Sequence, residues 1–280
     1  MRVIASDIDG TLLRDFRPIA ERVLRAVRAC RDEGVEFIAV TGRPIRWLEP
    51  IRRQIPDLGT VICANGAVVY DCREDSVLEV HAIDPEDAAE TIATLRRVWP
   101  GMLFGLETLE GLFVEPGFRT RSPAQAVPGP LSPVLAQRPT VLKILCRAEG
   151  WAADDLLGAA RLSLRGIAQP SHSGSRSGLL EIAATGLSKA VTLARHCERL
   201  GVGPADVVAF GDMPNDLEML SWAGRGYAMA DGHPEAVAAA DFTAPAVDED
   251  GVAVVLEELL ALHRGGGASP GRALPDRATR

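Results

Sequence analysis

The chain has 280 residues, of which 47% are hydrophobic, and its formal net charge is −8 at pH 7. This length and apolar content are enough to bury one large core or two smaller ones. An acidic chain lacks the clustered Lys and Arg of a general nucleic-acid surface, so nucleic acid is not an expected partner. No feature of the sequence indicates an oligomeric state.

The five cysteines are odd in number and scattered, with no C-x-x-C pair. This usage favours reduced thiols over a disulfide framework or a zinc site. Asp7 and Asp9 interrupt the N-terminal segment where a signal peptide would need an apolar stretch. No run approaches the roughly 18–20 apolar residues of a membrane span. We therefore expect a soluble, cytoplasmic protein with no membrane partner.

The first part of the chain alternates apolar strands with an amphipathic helix. A buried strand at residues 3–5 precedes a predicted helix over 19–33 and a second strand over 35–40. Strand, helix and strand in so short a stretch indicate a βαβ unit and a partly parallel sheet. A third strand, 60–63, ends at the turn 64–67. Three strands therefore end in polar or glycine-rich turns at the carboxyl edge, where open α/β sheets bind ligands.

The pattern changes between residues 84 and 184. Asp84 followed by Pro85 is typical of a helix start, and this helix is predicted to end near Trp99. The other predicted elements are β-like stretches around 102–108 and 112–115, a loop over 117–139, a strand over 140–147, a helix over 151–164, and strands over 167–172 and 179–183. Strands with a helix between pairs predict a separate α+β module inserted into the first domain.

The βαβ pattern resumes at Ser188. The predicted elements are a helix to Leu200, a strand over 206–210, a helix ending near Trp222, a strand near 227–229 and a final helix from Val252 to His263. The expected fold is α/β, with a Rossmann-like, mostly parallel sheet and helices on both faces. Residues 1–83 and 185–263 form this core and residues 84–184 form the insert. Residues 264–280 are rich in Gly, Pro, Ala and Arg and are predicted to be a disordered tail.

Two acidic clusters follow separate apolar strands. Residues 7–11, Asp-Ile-Asp-Gly-Thr, follow the first strand, and Asp212 and Asp216 follow a later one. In one parallel sheet both clusters would open on the same edge. Two bare carboxylates about 4 Å apart repel by roughly 4 kcal/mol at an effective dielectric near 20. The clusters therefore imply a bound cation, and hard oxygen ligands favour Mg²⁺. The simpler alternatives are an exposed acidic turn and ordinary helix-start residues.

Three further stretches offer groups that suit a phosphate. Lys189 stands at the first position of a predicted helix, where a cation opposes the helix dipole but the free N–H groups attract anions. A phosphate between them would explain this lysine, although a surface lysine is the alternative. Thr41-Gly42-Arg43 offers a hydroxyl and a backbone N–H, or is an ordinary strand-to-helix turn. Asn65 with Gly66 is compatible with a hairpin turn and with a ligand contact. His233 has no obvious partner and is interpreted as a turn residue.

These motifs, in this order, resemble those of the haloacid dehalogenase superfamily of phosphatases. Residues 7–11 resemble its first motif and Thr41 its second. Lys189 resembles the third motif and residues 211–216 resemble the fourth. The resemblance covers nearly everything to about residue 263. It implies a Rossmann-like catalytic core.

The Cof-type branch of that superfamily is the most similar. Residues 180–189, Leu-Glu-Ile-Ala-Ala-Thr-Gly-Leu-Ser-Lys, and the turn 64–67 resemble this branch. It carries an α/β cap domain between the second and third motifs. The chain departs from the branch at Ala230 and Asp231, where Gly and Asn are usual.

The resemblance implies phosphoryl transfer through an aspartyl-phosphate. Asp7 is the expected nucleophile, and Asp9 the group that protonates the leaving oxygen and later activates water. Mg²⁺ would be held by the carboxylates of Asp7 and Asp212 and by the backbone carbonyl of Asp9. The expected phosphate and substrate ligands, with Asp216 supporting Lys189 or the metal shell, are Thr41, Gly42, Arg43, Asn65, Lys189 and Asn215.

The resemblance also implies a small phosphorylated metabolite, most simply a sugar phosphate, as substrate. The insert would close over the site and select the leaving group. Its candidate residues, for each of which a solvated loop residue is the alternative, are Arg119, Arg121, His172, Ser175 and Arg176. Other hypotheses are a phosphomutase or a dedicated sugar-6-phosphate phosphatase of the same superfamily, and a catalytically silent sugar-phosphate sensor. A sensor would be expected to lose Asp7 or Asp9, and both are present.

Overall fold

The computed structural model describes residues 1–14, 16–174 and 178–265. In chain order the strands are β1 (Val3–Ser6), β2 (Glu36–Val40), β3 (Thr60–Cys63), β4 (Val68–Asp71), β5 (Ser76–Val80), β6 (Leu103–Thr108), β7 (Leu112–Val114), β8 (Ala126–Pro128), β9 (Val141–Arg147), β10 (Gln169–Ser171), β11 (Leu179–Ala183), β12 (Val207–Gly211), β13 (Arg225–Met229) and β14 (Phe242–Ala244). The α-helices are α1 (Glu21–Asp32), α2 (Glu49–Arg52), α3 (Pro85–Val98), α4 (Leu131–Ala136), α5 (Ala153–Ser163), α6 (Lys189–Arg199), α7 (Leu217–Trp222), α8 (Pro234–Ala239) and α9 (Gly251–Gly265). Short 3-10 helices lie at Ile45–Trp47, Ala64–Gly66, Pro123–Gln125, Pro204–Asp206, Pro214–Asp216 and Val247–Glu249.

The chain divides into two compact units. The first unit contains Met1–Val77 and the chain from Lys189 onward, and the second unit contains Leu78–Ser188. The first unit is therefore built from two separate stretches of sequence, with the second unit inserted between them.

The sheet of the first unit has the order β14-β13-β12-β1-β2-β3-β4-β5. Strand β1 lies parallel between β12 and β2, with Val3 opposite both Val207 and Glu36. Strands β3, β13 and β14 extend the parallel part, and β4 runs antiparallel to β3. The predicted α/β fold with a mostly parallel sheet is confirmed. Because parallel strands end at one edge, the turns that follow β1, β2, β3 and β12 share that edge.

Helices cover both faces of this sheet. Successive strand residues point to opposite faces, so Val3 and Ala5 share one face and Ile4 points to the other. Helices α6, α7 and α8 pack on the face of Val3 and Ala5, where Leu193 and Leu220 are fully buried. Helix α1 packs on β2 and on α9. The parallel strands are consequently buried on both sides, as continuous apolar runs predict.

The second unit is an α+β module. Its sheet has the order β10-β11-β9-β6-β7-β8 and is mainly antiparallel, with a parallel pair formed by β7 and β8. Helices α3 and α5 place Leu95 and Leu156 in a core with Phe104, Ile144 and Leu180. Helix α3 begins as the sequence predicts, because Asp84 accepts a hydrogen bond from the backbone N–H of Glu86 at 2.9 Å.

Several short elements differ from the sequence prediction. The stretch predicted as a loop over 117–139 contains β8 and α4, since β8 pairs with β7 and Leu131 of α4 is buried. Helix α8 and strand β14 have no counterpart among the predicted elements. His233 is the N-cap of α8, where its Nδ1 accepts a hydrogen bond from the backbone N–H of Glu235 at 3.2 Å. These elements have few apolar residues or begin beside proline, so their hydrophobic period is weak.

The prediction of a disordered tail over residues 264–280 is wrong for its first two residues. Helix α9 continues to Gly265, so residues 264 and 265 are helical, and Arg264 binds the carboxylate of Glu33 through Nη2 at 2.5 Å. Residues 266–280 lie outside the described residues. Within the described ranges, no helix combines the length and the apolar character needed to cross a membrane.

Candidate active site

Three carboxylates meet at the carboxyl edge of the first unit's sheet. Asp7 directly follows β1 and Asp212 directly follows β12, its parallel neighbour. The backbone N–H of Asp7 bonds the carbonyl of Phe210 at 3.0 Å, which holds the two strand ends in register. Carboxylate oxygens of Asp7, Asp212 and Asp216 all lie within 4.8 Å of one another, and all three residues are buried. The two acidic clusters of the sequence are thus one cluster in space.

Glycine permits this close approach at two positions. Gly10 has φ +90°, and a Cβ there would lie 2.2 Å from Oδ2 of Asp212. A Cβ on Gly211 would lie 2.6 Å from the Cβ of Asp216. Thr11, which was not among the predicted site residues, donates its hydroxyl to Oδ1 of Asp212 at 2.9 Å. The turn after β1 therefore both makes room for the Asp212 carboxylate and orients it.

Lys189, the first residue of α6, points into the acidic cluster. Its Nζ donates to Oδ1 of Asp7 at 2.5 Å and to Oδ1 of Asp216 at 2.7 Å, and its side chain is fully buried. The other oxygen of Asp216 accepts the backbone N–H groups of Asp212 and Met213. Asp216 therefore joins the lysine to the loop that carries Asp212.

One buried ammonium does not balance three carboxylates. Burial raises the pKa of Asp7 to about 7 against the opposing attraction of Lys189, and the nearby Asp216 and Asp9 raise it further. Burial, followed by the charges of Asp7 and Asp216, also raises the pKa of Asp212 well above its usual range. Burial lowers the pKa of Lys189, but Asp216 and Asp7 outweigh it and the net shift is upward. The oxygen donors and the excess negative charge fit a divalent cation such as Mg²⁺.

We expect Mg²⁺ binding to strengthen as pH rises. With a pKa of about 7, Asp7 carries a proton in the metal-free protein at mildly acidic pH, and a cation must displace it. Affinity should rise by up to about tenfold per pH unit for each proton displaced, and because burial also raises the pKa of Asp212, the rise should continue beyond the titration of Asp7. Calorimetry in buffers of different ionisation enthalpy measures the number of protons released, and Asp7→Asn should lower that number.

The metal-free protein should respond to pH in the opposite sense. The folded pKa of Asp7, about 7, lies above its ordinary value of 3.8. Between these two pH values the native state therefore binds more protons than the unfolded chain. Its contribution makes the free energy of unfolding fall as pH rises through this window. Urea unfolding without metal measures this slope. A Mg²⁺ affinity that is flat between about pH 5.5 and about pH 7.5 would contradict the predicted pH dependence of metal binding.

Asp9 lies outside the three-carboxylate cluster and binds Arg43. Both oxygens of Asp9 accept from this guanidinium, from Nε and from Nη2, each at 2.7 Å. The Arg43 side chain is almost fully buried, whereas that of Asp9 is 34% exposed. Arg43 was expected to bind phosphate, and the structure instead gives its guanidinium to Asp9. Thr41, also buried, accepts the backbone N–H of Arg43 at its hydroxyl at 3.1 Å, with the half-buried Gly42 between them.

The two asparagines among the predicted ligands bind each other. Asn215 donates its amide to Oδ1 of Asn65 at 3.0 Å. Asn65 lies in the turn between β3 and β4 with φ 58° and ψ 30°, a left-handed conformation that Asn tolerates. Its backbone N–H also bonds the carbonyl of Thr41 at 3.0 Å. Asn65 therefore lies in the predicted turn. It also forms hydrogen bonds with the loops that follow β2 and β12.

Asp231, at which the chain departs from the Cof-type branch, binds a residue of the loop after Asp9. The carboxylate of Asp231 forms an ion pair with Arg14 and accepts the backbone N–H of Val247. Arg14 also contacts Asp248 at 2.9 Å. The sequence pattern gives no sign of the ion pair between Arg14 and Asp231, because the two residues are more than two hundred positions apart.

The candidate residues of the second unit differ in their exposure to solvent. Arg119 and Arg121 are exposed, whereas His172 is buried with Nε2 2.7 Å from Oδ1 of Asp154. Ser175 and Arg176 lie outside the described residues.

Comparison with known proteins gives a consistent family. The model of the haloacid dehalogenase-like hydrolases matches residues 4–256. The chain is 29% identical over 273 residues to the 5-amino-6-(5-phospho-D-ribitylamino)uracil phosphatase YitU of Bacillus subtilis (strain 168), covering 93% of this chain and 98% of that protein. It is 30% identical over 246 residues to the pyridoxal phosphate phosphatase YbhA of Escherichia coli (strain K12), covering 81% of this chain and 87% of that protein. A solved structure from Streptococcus mutans UA159 superposes with a TM-score of 0.78 at 25% identity, over 93% of this chain and 99% of that one. The chain therefore belongs to the haloacid dehalogenase-like hydrolase family.

Proposed function

We propose that the chain is a Mg²⁺-dependent phosphatase that hydrolyses small phosphorylated metabolites through an aspartyl-phosphate on Asp7. The observation that carries the proposal is the buried group of Asp7, Asp212 and Asp216 around Lys189, with Asp9 in the same turn as Asp7. The two relatives compared above are named as phosphatases, which supports the same chemistry.

In the first step an oxygen of Asp7 attacks phosphorus and the bond to the leaving oxygen breaks. Asp9, in its protonated form, gives that oxygen its proton, so the product leaves as a neutral alcohol. Lys189, held on Asp7 at 2.5 Å, provides the positive charge that offsets the phosphoryl oxygens. The two hydrogen bonds from Arg43 keep the Asp9 carboxyl group in the turn where the leaving oxygen would lie.

In the second step Asp9, now a carboxylate, takes a proton from water, and the water oxygen attacks phosphorus. The bond between phosphorus and Asp7 breaks, which restores the carboxylate and releases inorganic phosphate. The buried hydroxyl of Thr41 and the paired amides of Asn65 and Asn215 are the proposed neighbours of the phosphoryl oxygens.

The residues around Asp7 fit a resident Mg²⁺. Its proposed ligands are the carboxylates of Asp7 and Asp212 and the backbone carbonyl of Asp9, all oxygen donors of the kind Mg²⁺ prefers. When bound, the ion would offset the mutual repulsion of Asp7, the phosphoryl group and Asp212. Thr11 and Gly10 prepare this position by orienting Asp212 and leaving room for it.

The proposed substrates are small phosphomonoesters, of which a sugar phosphate is one. The second unit, Leu78–Ser188, is proposed to act as the cap that selects the leaving group. Its exposed Arg119 and Arg121 are suited to contact polar or anionic parts of a substrate.

The test is phosphate release from p-nitrophenyl phosphate and from a panel of phosphorylated metabolites, with Mg²⁺ and with EDTA. Hydrolysis is expected with Mg²⁺, to be lost with EDTA and to return when Mg²⁺ is restored. Full activity in EDTA would contradict the metal assignment. Failure to hydrolyse any ester of the panel with Mg²⁺ would contradict the proposed function.

A further inference from the structure

An exposed aromatic side chain lies beside the acid–base residue. Phe16 is 47% exposed, although it is a large apolar residue in the first unit. The Arg43 guanidinium lies over its ring, with Cζ 4.6 Å from the ring centroid. The same guanidinium binds both oxygens of Asp9 at 2.7 Å. Phe16 is therefore separated from the Asp9 carboxylate by a single planar group.

Trp47 extends this apolar surface. Its ring meets that of Phe16 edge to face, with centroids 6.0 Å apart and planes at 81°. Arg43 Nη1 contacts the backbone carbonyl of Trp47 at 3.4 Å, so the same arginine connects both aromatic residues to Asp9. We call Phe16 and Trp47 the aromatic pair. Trp47 is partly exposed and lies in the short 3-10 helix Ile45–Trp47 that follows the Thr41-Gly42-Arg43 turn.

The backbone of Phe16 is in an unfavourable conformation. Its φ is +60°, in the left-handed region that bulky residues rarely adopt. Such strain persists only where the surroundings enforce it, and it concentrates at ligand-binding and active sites. Here the strained backbone keeps a ring on Arg43 and exposes it to solvent, an arrangement that core packing does not require.

The chemistry proposed for Asp9 locates the leaving group near this ring. A general acid must come within about 2.6–3.2 Å of the oxygen that it protonates. The carbon atoms attached to that oxygen must then lie close to Asp9, and the ring of Phe16 packs on the guanidinium that binds the same carboxylate. An exposed aromatic ring at this place offers a flat apolar surface to the organic part of the substrate.

We propose that the aromatic pair is a specificity site for phosphomonoesters whose leaving group carries a planar aromatic ring close to the ester oxygen. The proposal rests on the phosphatase function proposed above and narrows its substrate class. Offset or edge-to-face contact between Phe16 and an aromatic ring of the substrate contributes more binding free energy than the burial of apolar area alone. A polyhydroxylated leaving group such as a sugar lacks this contact and gains less from Phe16.

The experiment compares three esters in the wild type and in Phe16→Ala. Benzyl phosphate and cyclohexylmethyl phosphate have the same carbon framework but differ in aromaticity, and glucose 6-phosphate provides a polar leaving group. Phe16→Ala should lower kcat/KM for benzyl phosphate about five- to tenfold, chiefly through KM. The change for cyclohexylmethyl phosphate should be smaller, and that for glucose 6-phosphate about twofold or less.

Two variants serve as controls. Phe16→Leu keeps an apolar side chain without a ring and should lose the preference for benzyl over cyclohexylmethyl phosphate. Leu162→Ala removes an 80% exposed apolar side chain of the second unit and should change none of the three values.

An equal loss on all three esters in Phe16→Ala would overturn the proposal, because Phe16 would then act only by supporting Arg43 and Asp9. No loss on benzyl phosphate would overturn it as well. A wild type that hydrolyses no ester of the full metabolite panel with Mg²⁺ would instead contradict the proposed function, whereas one that hydrolyses esters of the panel but not benzyl phosphate would overturn the specificity proposal alone. The two failures are therefore distinguishable.

Discussion

Replacing Asp7 by Asn should abolish turnover, with kcat on p-nitrophenyl phosphate falling by about 10⁴-fold or more. The amide has the same shape as the carboxylate but cannot form the aspartyl-phosphate, and residues that act as one catalytic unit do not compensate for a lost nucleophile. The fold should persist, because Lys189 keeps its bond to Asp216. Removal of a buried carboxylate with a raised pKa also relieves repulsion within the cluster.

The matched control for this variant is Asp32→Asn. Asp32 is an exposed residue of α1, so the same chemical change there should leave kcat and the free energy of unfolding unaltered. The direct readout is the enzyme quenched during turnover: peptide mass analysis should find phosphate on Asp7 in the wild type and none in Asp7→Asn. A phosphorylated residue elsewhere in the chain, or an Asp7→Asn enzyme with near-normal kcat, would contradict the assignment.

The meeting of the acidic residues could be predicted because it depends on the backbone alone. Residues 3–5 and 207–210 are apolar runs typical of buried parallel strands, and the short stretches that follow them, with Asp7 and Asp212, then lie at one sheet edge. The position of Lys189 follows similarly from the start of α6. Sequence spacing is sufficient to predict the position of a site residue that lies at the end of a strand or at the start of a helix.

The partners of Asp9 and Asp231 could not be predicted in this way. Whether Arg43 turns its guanidinium to a phosphate or to Asp9 depends on side-chain torsions and on the loop that carries Phe16, and neither leaves a periodic signal. Asp231 binds Arg14 through an ion pair between distant loops. Residues with a positive φ that are not glycine, such as Phe16, are equally invisible, because their conformation is enforced by tertiary contacts.

The proline-rich segment between residues 128 and 133 conceals two short elements, β8 and α4. Three prolines between residues 128 and 133 suggest a loop, yet Pro128 ends β8 and Pro130 precedes α4 in an extended conformation. Proline is compatible with a strand end and with the first turn of a helix, so its presence alone does not separate a loop from a short element. The buried Leu131 is what fixes α4 in place.

Replacing Lys189 by Met should damage both stability and catalysis. Methionine retains much of the side-chain volume but removes the cation that binds Asp7 and Asp216, which are both buried. Removing one partner of a buried ion pair typically costs about 3–5 kcal/mol, because a buried charge is left uncompensated. Loss of this positive charge beside the phosphoryl group should also lower kcat by about 10²–10³-fold.

Lys143→Met separates the two effects. Lys143 is also a buried lysine, and its Nζ binds Oε1 of Glu181 at 2.6 Å in the second unit. Its replacement should destabilise the protein by a comparable amount. It should leave kcat on p-nitrophenyl phosphate nearly unchanged, since Lys143 has no place in the proposed chemistry. Equal losses of kcat in both variants would show that the effect of Lys189 is only structural.

The pH dependence of Lys189→Met provides the sharper test. Without the lysine, the folded pKa of Asp7 should rise further above its ordinary value, because burial and Asp216 both favour the protonated form. The native state then binds more protons than the unfolded chain over a wider pH window, and its free energy of unfolding falls as pH rises through that window. Urea unfolding of the metal-free variant should therefore show a larger deficit at about pH 8 than at about pH 5. In the double variant Lys189→Met/Asp216→Asn, one of the uncompensated carboxylates is gone, so part of the lost stability should return at the higher pH without recovery of kcat. A deficit independent of pH would mean that lost packing, rather than uncompensated charge, destabilises the variant.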